Sequence, residues 1–201
     1  MSVYAYPYIR YPNGLNLVGV RKSDLRVVKT HRNIRNGLVE LLRNKEFNDF
    51  TVQELLEVAM INRATFYKYY RGLDDLAGEM IEDFKNMFSE ALRHRFDLVD
   101  RARFLGEISP ELFSKKDLVM ALWKIKTPQH NLYGDMMSMI KDAYSSHAGD
   151  RNVPPENVDY QATIFATLAL TTTQYFLERN QPVPVKRVYE QWSEIISLTK
   201  L

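Results

Sequence analysis

Two helix-capping signals lie only eleven residues apart and restrict residues 51–70 to a pair of short helices. Thr51 can cap a helix, and Glu54 three residues later completes a capping box. After a short break at two apolar residues, Asn62 can cap a second helix, which we predict to run over about 63–70. Two short helices joined this closely form a helix-turn-helix.

The rest of the chain is also predicted to be helical. From residue 24 onwards the apolar residues recur at helical spacing, and no segment after residue 22 has the period of a strand. The fold class is therefore predicted to be all-α. Besides the pair above, helices are predicted from 23 or 24 to 44 or 45, from 73 or 74 to 95, over 110–126, 129–147 and 156–180, and from 185 to the C-terminus, with a short one compatible with 97–105.

The N-terminal segment differs from the remainder. Residues 1–22 combine tyrosines with prolines, a composition that resists helix, and we predict an extended or disordered arm. The predicted organisation is therefore an arm over 1–22, a helix-turn-helix domain over 23–72 and a larger helical domain over 73–201.

Composition excludes several classes of protein. The chain has 201 residues, of which 45% are hydrophobic, so it can bury a core. It has no run of eighteen apolar residues and no cysteine, which argues against a membrane span, disulfides and thiolate metal sites and fits a cytoplasmic protein. We find no nucleophile–base set, phosphate loop or metal spacing among the histidines, and we predict no enzymatic activity, no metal and no cofactor.

Charge is distributed unevenly along the chain. Residues 1–72 carry 12 Lys/Arg against 6 Asp/Glu, or +6, whereas residues 73–201 carry 15 against 19, or −4. A basic N-terminal third is typical of a segment that binds a polyanion. The same value also lies within the scatter of ordinary solvated surfaces, so charge favours nucleic acid only weakly.

The second helix of the pair has two chemically different sides. At 100° per residue, the side predicted to pack on the preceding helices consists of Phe66, Tyr69 and Tyr70. The opposite, exposed side consists of Arg63, Ala64, Tyr67 and Lys68. A guanidinium can bind guanine O6 and N7, a small residue permits close approach, and tyrosine and lysine suit phosphate. This chemistry favours insertion into a DNA major groove.

These residues resemble a known family. The stretch Thr51-Val-Gln-Glu-Leu-Leu-Glu-Val-Ala-Met-Ile-Asn-Arg-Ala-Thr-Phe-Tyr-Lys-Tyr-Tyr70, followed by Gly72-Leu-Asp-Asp-Leu76, is similar to the N-terminal domain of TetR-family regulators. The most specific part is residues 62–70, and the resemblance covers about residues 24–90. It implies base-edge contacts for Arg63 and Ala64, and phosphate contacts for the residues Thr51, Thr65 and Tyr67. Base or backbone contacts are implied for Lys68 and Tyr69.

Three positions depart from the family pattern. Met60 stands at the turn where the family usually has glycine, and Leu56 stands where it usually has a small residue. Leu73 replaces a lysine that commonly contacts phosphate. The first two imply an altered packing angle between the two helices. The third removes one charge contact, which Arg71 or the N-terminal arm could replace.

By the same resemblance, residues 73–201 would bind an effector and form a dimer. The candidate effector pocket consists of Met120, Trp123, Tyr133, Met136, Met137, Thr171 and Gln174. The candidate dimer interface consists of Tyr160, Ile164, Leu168, Tyr175, Trp192, Ile195 and Ile196. Plain core packing is the alternative for each pocket residue, and the polar run at 171–174 suits either an interface or an effector.

Together these features predict a DNA-binding transcriptional regulator. The resemblance implies an effector-responsive repressor that binds a palindromic operator on double-stranded DNA as a homodimer. The alternative is a protein of the same fold that acts mainly through a protein partner, with a modified DNA-binding head. The three departures and the Tyr/Pro arm motivate that alternative.

Overall fold

The structure is a computed structural model that describes residues 22–96, 101–148 and 154–198. These residues form nine α-helices and no strand, which confirms the all-α prediction. The predicted arm lies outside the described residues except for residue 22. The helices are α1 (Lys22–Asn44), α2 (Val52–Ala59), α3 (Arg63–Tyr67), α4 (Leu73–Phe96), α5 (Arg101–Ser114), α6 (Lys116–Trp123), α7 (Leu132–Ala148), α8 (Pro155–Glu178) and α9 (Val185–Leu198).

The described residues divide into two compact units. The first consists of the residues up to Met87 together with Ala121–Leu132, so it contains α1 to α3 and the first part of α4. The second consists of Phe88–Met120 and the residues from Tyr133 onwards. The first unit thus includes the predicted helix-turn-helix segment and also a piece of chain that follows it by about fifty residues.

The first unit is built on a close crossing of α1 and α2. The apolar stripe of α1 is fully buried, as its spacing predicts, at Ile34, Leu38 and Leu42. A Cβ atom added at Gly37 would lie 3.1 Å from the Ala59 Cβ atom. The absence of a side chain at Gly37 therefore allows the two helices to approach closely, and a larger residue there would push them apart.

The piece at Ala121–Leu132 is attached to the rest of the first unit at two places. The Lys124 ammonium donates to the Arg43 carbonyl at the end of α1 (3.1 Å). Further along, the His130 Nε2 atom lies 3.2 Å from an Asp74 carboxylate oxygen. The His130 imidazole also covers Gly78, where an added Cβ would meet it at 2.8 Å.

The predicted helix over 110–126 is wrong. The structure has two helices there, and Pro110 lies inside α5 and not at a helix start. Proline removes one N–H but is compatible with helical φ, so it marks a helix start only when neighbouring contacts do not extend the helix upstream. The break comes at Lys115, whose N–H donates to the Glu111 and Leu112 carbonyls (3.3 and 3.1 Å).

The second unit has a core of apolar and small side chains. Its fully buried residues include Met136 of α7 and the alanines 162 and 166 of α8. The Tyr144 hydroxyl donates to the Gln161 amide oxygen (2.8 Å) and joins α7 to α8. The small residues allow close helix packing, and the larger residues Phe165 and Leu170 of α8 are buried with them.

A candidate nucleic-acid interface

The start of α2 has the capping box that the sequence predicts. The Glu54 N–H donates to the Thr51 hydroxyl oxygen (3.3 Å), and the Thr51 N–H donates to the Glu54 carboxylate (2.8 Å). The Lys45 ammonium also donates to Glu54 (2.5 Å). The hydrogen bond from Lys45 and then those from Thr51 lower the pKa of Glu54 to about 2, so its carboxylate stays charged at neutral pH. Thr51 remains exposed beside this cap.

The turn after α2 is made by a residue in an unfavourable backbone conformation. Met60 has φ 53° and ψ 45°, in the left-handed region that glycine adopts most easily. The Ile61 N–H donates to the Leu56 carbonyl (3.1 Å), as in a Schellman motif. The Met60 side chain is 89% exposed. The chain therefore makes the usual glycine turn with a long apolar side chain that projects into solvent.

Helix α3 is shorter than predicted. It ends at Tyr67, and the next residues form a turn in which the Tyr69 and Tyr70 N–H groups both donate to the Phe66 carbonyl (2.9 and 3.0 Å). The predicted cap is confirmed, because the Ala64 N–H donates to the Asn62 side-chain oxygen (2.8 Å). A helix of five residues cannot hold its own conformation, so tertiary contacts must orient it.

The two sides of this helix are those that the sequence predicts. Phe66 and Tyr70 are fully buried, and Tyr69 is half-buried. The exposed face, which we call the α3 face, consists of Arg63, Ala64, Tyr67 and Lys68. Thr65 is half-buried beside it.

Two cation–aromatic pairs order the side chains around the α3 face. The Arg63 guanidinium carbon lies 5.5 Å from the Tyr67 ring centre, and the Lys68 ammonium lies 5.5 Å from the Tyr69 ring centre. These pairs keep two cations at the surface on one short segment. The α3 face therefore offers a guanidinium, an ammonium and a phenol to a polyanion.

The connection to α4 contains the third departure from the family pattern. Leu73 is half-buried at the first position of α4, and Arg71 is exposed two residues earlier. The Arg71 N–H donates to the Asp75 carboxylate (2.9 Å), which fixes the backbone of this connection. Arg71 is thus available as a charge close to the start of α4.

A buried polar cluster behind α3 was not predicted from the sequence. We call it the head network, and it consists of His31, Arg35, Tyr70, Glu79 and Asp83. The His31 Nδ1 atom is hydrogen-bonded to the Tyr70 hydroxyl (2.7 Å). The Arg35 guanidinium pairs with Asp83 (2.6 Å) and with Glu79. Its signal in the sequence is the presence of two basic residues, four apart, on the side of α1 that carries the apolar stripe.

The surroundings of the head network shift the pKa of each central group. Burial, followed by the charge of Arg35, lowers the pKa of His31 to about 4, so this imidazole is neutral at neutral pH. Burial raises the pKa of Tyr70 to about 12, against the opposing effect of Arg35. Burial disfavours the charge on Arg35, but Tyr70 and Asp83 outweigh it and raise the pKa of Arg35 above its usual value.

The second unit has an open groove of about 840 Å³ between α8 and α9. Its lining includes three residues of the candidate dimer interface, Tyr175, Trp192 and Ile195, and one residue of the candidate effector pocket, Thr171. The structure therefore brings together parts of two residue sets that the sequence analysis kept separate.

Other residues of the candidate interface lie elsewhere on the same helices. On α8, Tyr160 is 68% exposed, Ile164 is also exposed and Leu168 is half-buried. On α9, Ile196 follows the exposed groove residue Ile195. Groups of large apolar side chains with this exposure are rare on the surface of monomeric proteins and are typical of interaction sites.

The remaining candidates for the effector pocket are distributed over both units. Trp123 is buried in the first unit, and Met136 is fully buried in the second. The half-buried members are Met120, Tyr133, Met137 and Gln174, all in the second unit. The effector pocket stays a prediction.

Comparison with solved structures identifies the architecture. A protein from Pseudomonas aeruginosa PAO1 that is described as a transcriptional regulator is similar at a TM-score of 0.64 and 16% identity, over 90% of this chain and 96% of that one. The regulatory protein TetR from Rhodobacter sphaeroides is similar at a TM-score of 0.54 and 17% identity, over 82% and 97%. The chain has a TetR-like fold. A gamma-butyrolactone receptor, an ArpA-like protein, shares this TetR-like fold at a TM-score of 0.56 and 15% identity, over 83% and 94%.

No protein-family model matches the sequence of this TetR-like chain, and no curated protein is significantly similar to it. The TM-scores show the shared fold, and at identities of 15–17% no side-chain role is carried over from the similar structures. Over residues 22–96, 101–148 and 154–198, no helix is long and apolar enough to cross a membrane. Those residues also contain no group of three or more His, Asp or Glu side chains suited to a metal ion.

Proposed function

We propose that the chain is a DNA-binding transcriptional regulator whose α3 face contacts a specific DNA sequence. The observation that carries the proposal is the pairing of a short, capped helix with an exposed basic and aromatic surface on that helix. The net charge of +6 over residues 1–72 adds general attraction to DNA phosphates. The solved structures of the same fold that are described as regulators support it further.

Within this proposal, each candidate residue has a role that follows from its exposure. Arg63 and Ala64, at the start of α3, would approach base edges. Tyr67, Thr65 and Thr51 would contact phosphates. Lys68 and Tyr69, paired through their side chains, would contact a base or the DNA backbone.

The decisive experiment is a footprint. The protein is titrated against the DNA surrounding its own gene at several salt concentrations. We expect protected sites with twofold symmetry, and an affinity that falls steeply as salt increases, because phosphate contacts release counterions. Absence of any sequence-specific protection would contradict the proposal.

Arg63→Ala tests the base contact directly. We expect a loss of about 1–3 kcal/mol in binding free energy for the protected duplex and relaxed preference at one base pair, since a bidentate arginine–guanine contact has that value. Arg93→Ala is the matched control, because Arg93 is exposed on α4 in the other unit and its removal changes net charge equally. Equal losses in both variants would place Arg63 in a general electrostatic role.

The chain is also proposed to act as a homodimer through α8 and α9. The exposed apolar residues Tyr160, Ile164 and Ile195 and the groove beside them favour burial against another protein surface. A second copy of the chain suits a twofold DNA site. Sedimentation should give twice the 23.6 kDa mass of the chain, and a monomer at micromolar concentration would contradict the proposal.

Repression relieved by a small molecule is the finer form of the proposal. Thr171 and Gln174 of α8 are the polar groups proposed to contact the effector, with Met120, Met136 and Met137 of the same unit as its apolar surroundings. The similar structure described as a gamma-butyrolactone receptor supports a small apolar ligand with polar oxygens. A reporter gene downstream of the footprinted site should be silent with the protein present and active when the effector is added.

A second candidate function is contact with a protein partner through the head. Val58 at the end of α2 and Met60 in the turn after it are exposed, so apolar side chains as well as cations reach solvent near the α2–α3 turn. If this candidate is right, the footprint should show no sequence-specific protection, and Met60→Ser should abolish capture of the protein partner. A footprint with twofold symmetry would contradict it.

A further inference from the structure

The head network joins α1 to two other elements at once. His31 and Arg35 lie one turn apart on α1 and are both buried. His31 is hydrogen-bonded to Tyr70, which follows α3, at a separation of 39 residues. Arg35 pairs with Asp83 of α4, at a separation of 48 residues. Two adjacent turns of α1 therefore hold the end of the α3 segment and the first half of α4.

The geometry around Arg35 restricts the rotation of α4. Its Nη1 atom pairs with Asp83, and its Nη2 atom pairs with Glu79. The two carboxylates are four residues apart, so both project from the same side of α4. The planar guanidinium presents its donors in a fixed fork, and a rotation of α4 about its axis would break one pair or both.

Energetics indicates that this arrangement contributes geometry more than stability. Burying the Arg35 guanidinium and most of the Asp83 side chain has a large desolvation cost, and apolar side chains of similar volume often stabilise a core as well. An apolar contact, however, tolerates sliding and rotation, whereas a forked ion pair does not. The feature that Arg35 adds is thus a defined orientation between α1 and α4.

A similar constraint acts on α3. Because this helix has only five residues, its direction depends on the side chains that anchor it, chiefly Phe66 and Tyr70. The Tyr70 hydroxyl is held by His31, and the His31 ring also lies 4.5 Å from the Tyr69 ring, centre to centre. A shift of α1 relative to α4 would therefore be transmitted to Tyr69 and Tyr70, the residues that follow α3.

We infer that His31, Arg35 and Tyr70 are positioning residues that set the direction of α3 relative to α4 and so determine how well the α3 face discriminates between DNA sequences. This inference rests on the proposed function. The three side chains are buried and need no contact with DNA. Their loss should reduce sequence discrimination and leave general attraction to duplex DNA, which depends on surface charge, in place.

The test compares three variants with one control. Arg35→Lys keeps the charge but loses the fork, Asp83→Asn removes one partner, and Tyr70→Phe removes only the hydroxyl. Glu82→Gln is the control, because Glu82 is an exposed neighbour of Asp83 on α4 that pairs with Lys85, and the charge change equals that of Asp83→Asn.

The measured quantity is the ratio of two dissociation constants, one for the footprinted duplex and one for a scrambled duplex of the same length. It is taken at one salt concentration and at a temperature where circular dichroism shows every variant to be folded. We expect the discrimination ratio to fall about tenfold in the three variants, comparable to the loss of one good base contact, and to stay unchanged in Glu82→Gln.

Unchanged ratios in the variants, with normal discrimination by the native chain, would overturn this inference and leave the proposed function intact. A native chain that does not discriminate would overturn both. If the Arg35 variant does not fold, Tyr70→Phe still decides the matter, because it removes a single oxygen atom from a buried ring.

Discussion

The two units differ in how they use buried polar groups. In the first unit, His31 and Arg35 connect helices that are far apart in the sequence, through an imidazole and an ion pair. In the described part of the second unit, the buried polar residues are Ser109 and Thr173. The Thr173 hydroxyl donates within its own helix to the Ala169 carbonyl (2.7 Å), and the Ser109 hydroxyl accepts from the Val183 N–H (3.3 Å).

The two units therefore have different interiors. Charged groups with few allowed geometries define the relative orientation of helices, as the proposed contact of the first unit with DNA requires. Hydroxyls and small residues accept a range of helix positions, and the second unit leaves apolar side chains exposed on α8 and α9. The interior of the first unit thus defines the orientation of its helices, whereas the second unit has an apolar surface that suits a partner.

The largest expected effect is a loss of stability when an anchor of the first unit is removed. Phe66→Ala should lower the free energy of unfolding by about 3–5 kcal/mol, because a fully buried phenylalanine leaves a cavity. Tyr175→Ala is the matched change in the second unit, where the ring is exposed. We expect Tyr175→Ala to change the free energy of unfolding of the monomer by about 1 kcal/mol or less. Urea titrations measure both, and equal losses would remove the contrast between the units.

The next effect concerns association through the second unit. Ile164→Glu places a charge on the exposed apolar side of α8, and we expect it to weaken dimerisation by about 2 kcal/mol or more, as at an interface hot spot. Sedimentation over a range of concentrations measures the shift. The control is Thr163→Glu, a half-buried neighbour on the same helix. A dimer that is equally strong in Ile164→Glu would show that this side of α8 is not the interface.

A smaller effect is expected from acidification of the head network. The folded-state pKa of His31 is about 4, below the ordinary 6.5, so the unfolded chain binds this proton more tightly. The contribution of His31 to stability is therefore complete above about pH 6.5 and is lost progressively as pH falls towards 4. We expect the loss to be on the order of 2 kcal/mol.

The measurement is the difference in free energy of unfolding between the native chain and His31→Gln at each pH. The contributions of the carboxylates cancel in this difference, because both proteins contain them. A difference that does not change between pH 7 and pH 4 would contradict the buried, neutral imidazole.

The smallest effect is a gain in stability at the α2–α3 turn. Met60→Gly should raise the free energy of unfolding by about 0.5–1 kcal/mol, because glycine adopts φ 53° without a Cβ penalty. The greater conformational entropy of glycine in the unfolded chain offsets part of this gain. Met60→Ala is the control, since it keeps the Cβ atom. A gain with alanine as large as that with glycine would attribute the effect to the exposed side chain and not to the backbone.

Much of the first unit could be predicted from the sequence because its signals are local. The caps at Thr51 and Asn62 act over three residues or fewer, and the structure has both hydrogen-bonded as expected. The end of α3 could not be predicted, since helical periodicity continues through Tyr70 although the helix stops at Tyr67. The helix start predicted at Pro110 was wrong, because a proline inside a helix cannot be distinguished in the sequence from one that begins a helix.

The helical character of the chain, the buried side of α3 and the residues exposed on the α3 face could all be predicted from the sequence. Periodicity and capping act between residues a few positions apart, so they are visible along the chain. The contacts of His31 with Tyr70 and of Arg35 with Asp83 are seen in the folded structure alone. Such pairs depend on how α1 crosses its neighbours, and the crossing is set by the combined packing of sites such as Gly37 against Ala59.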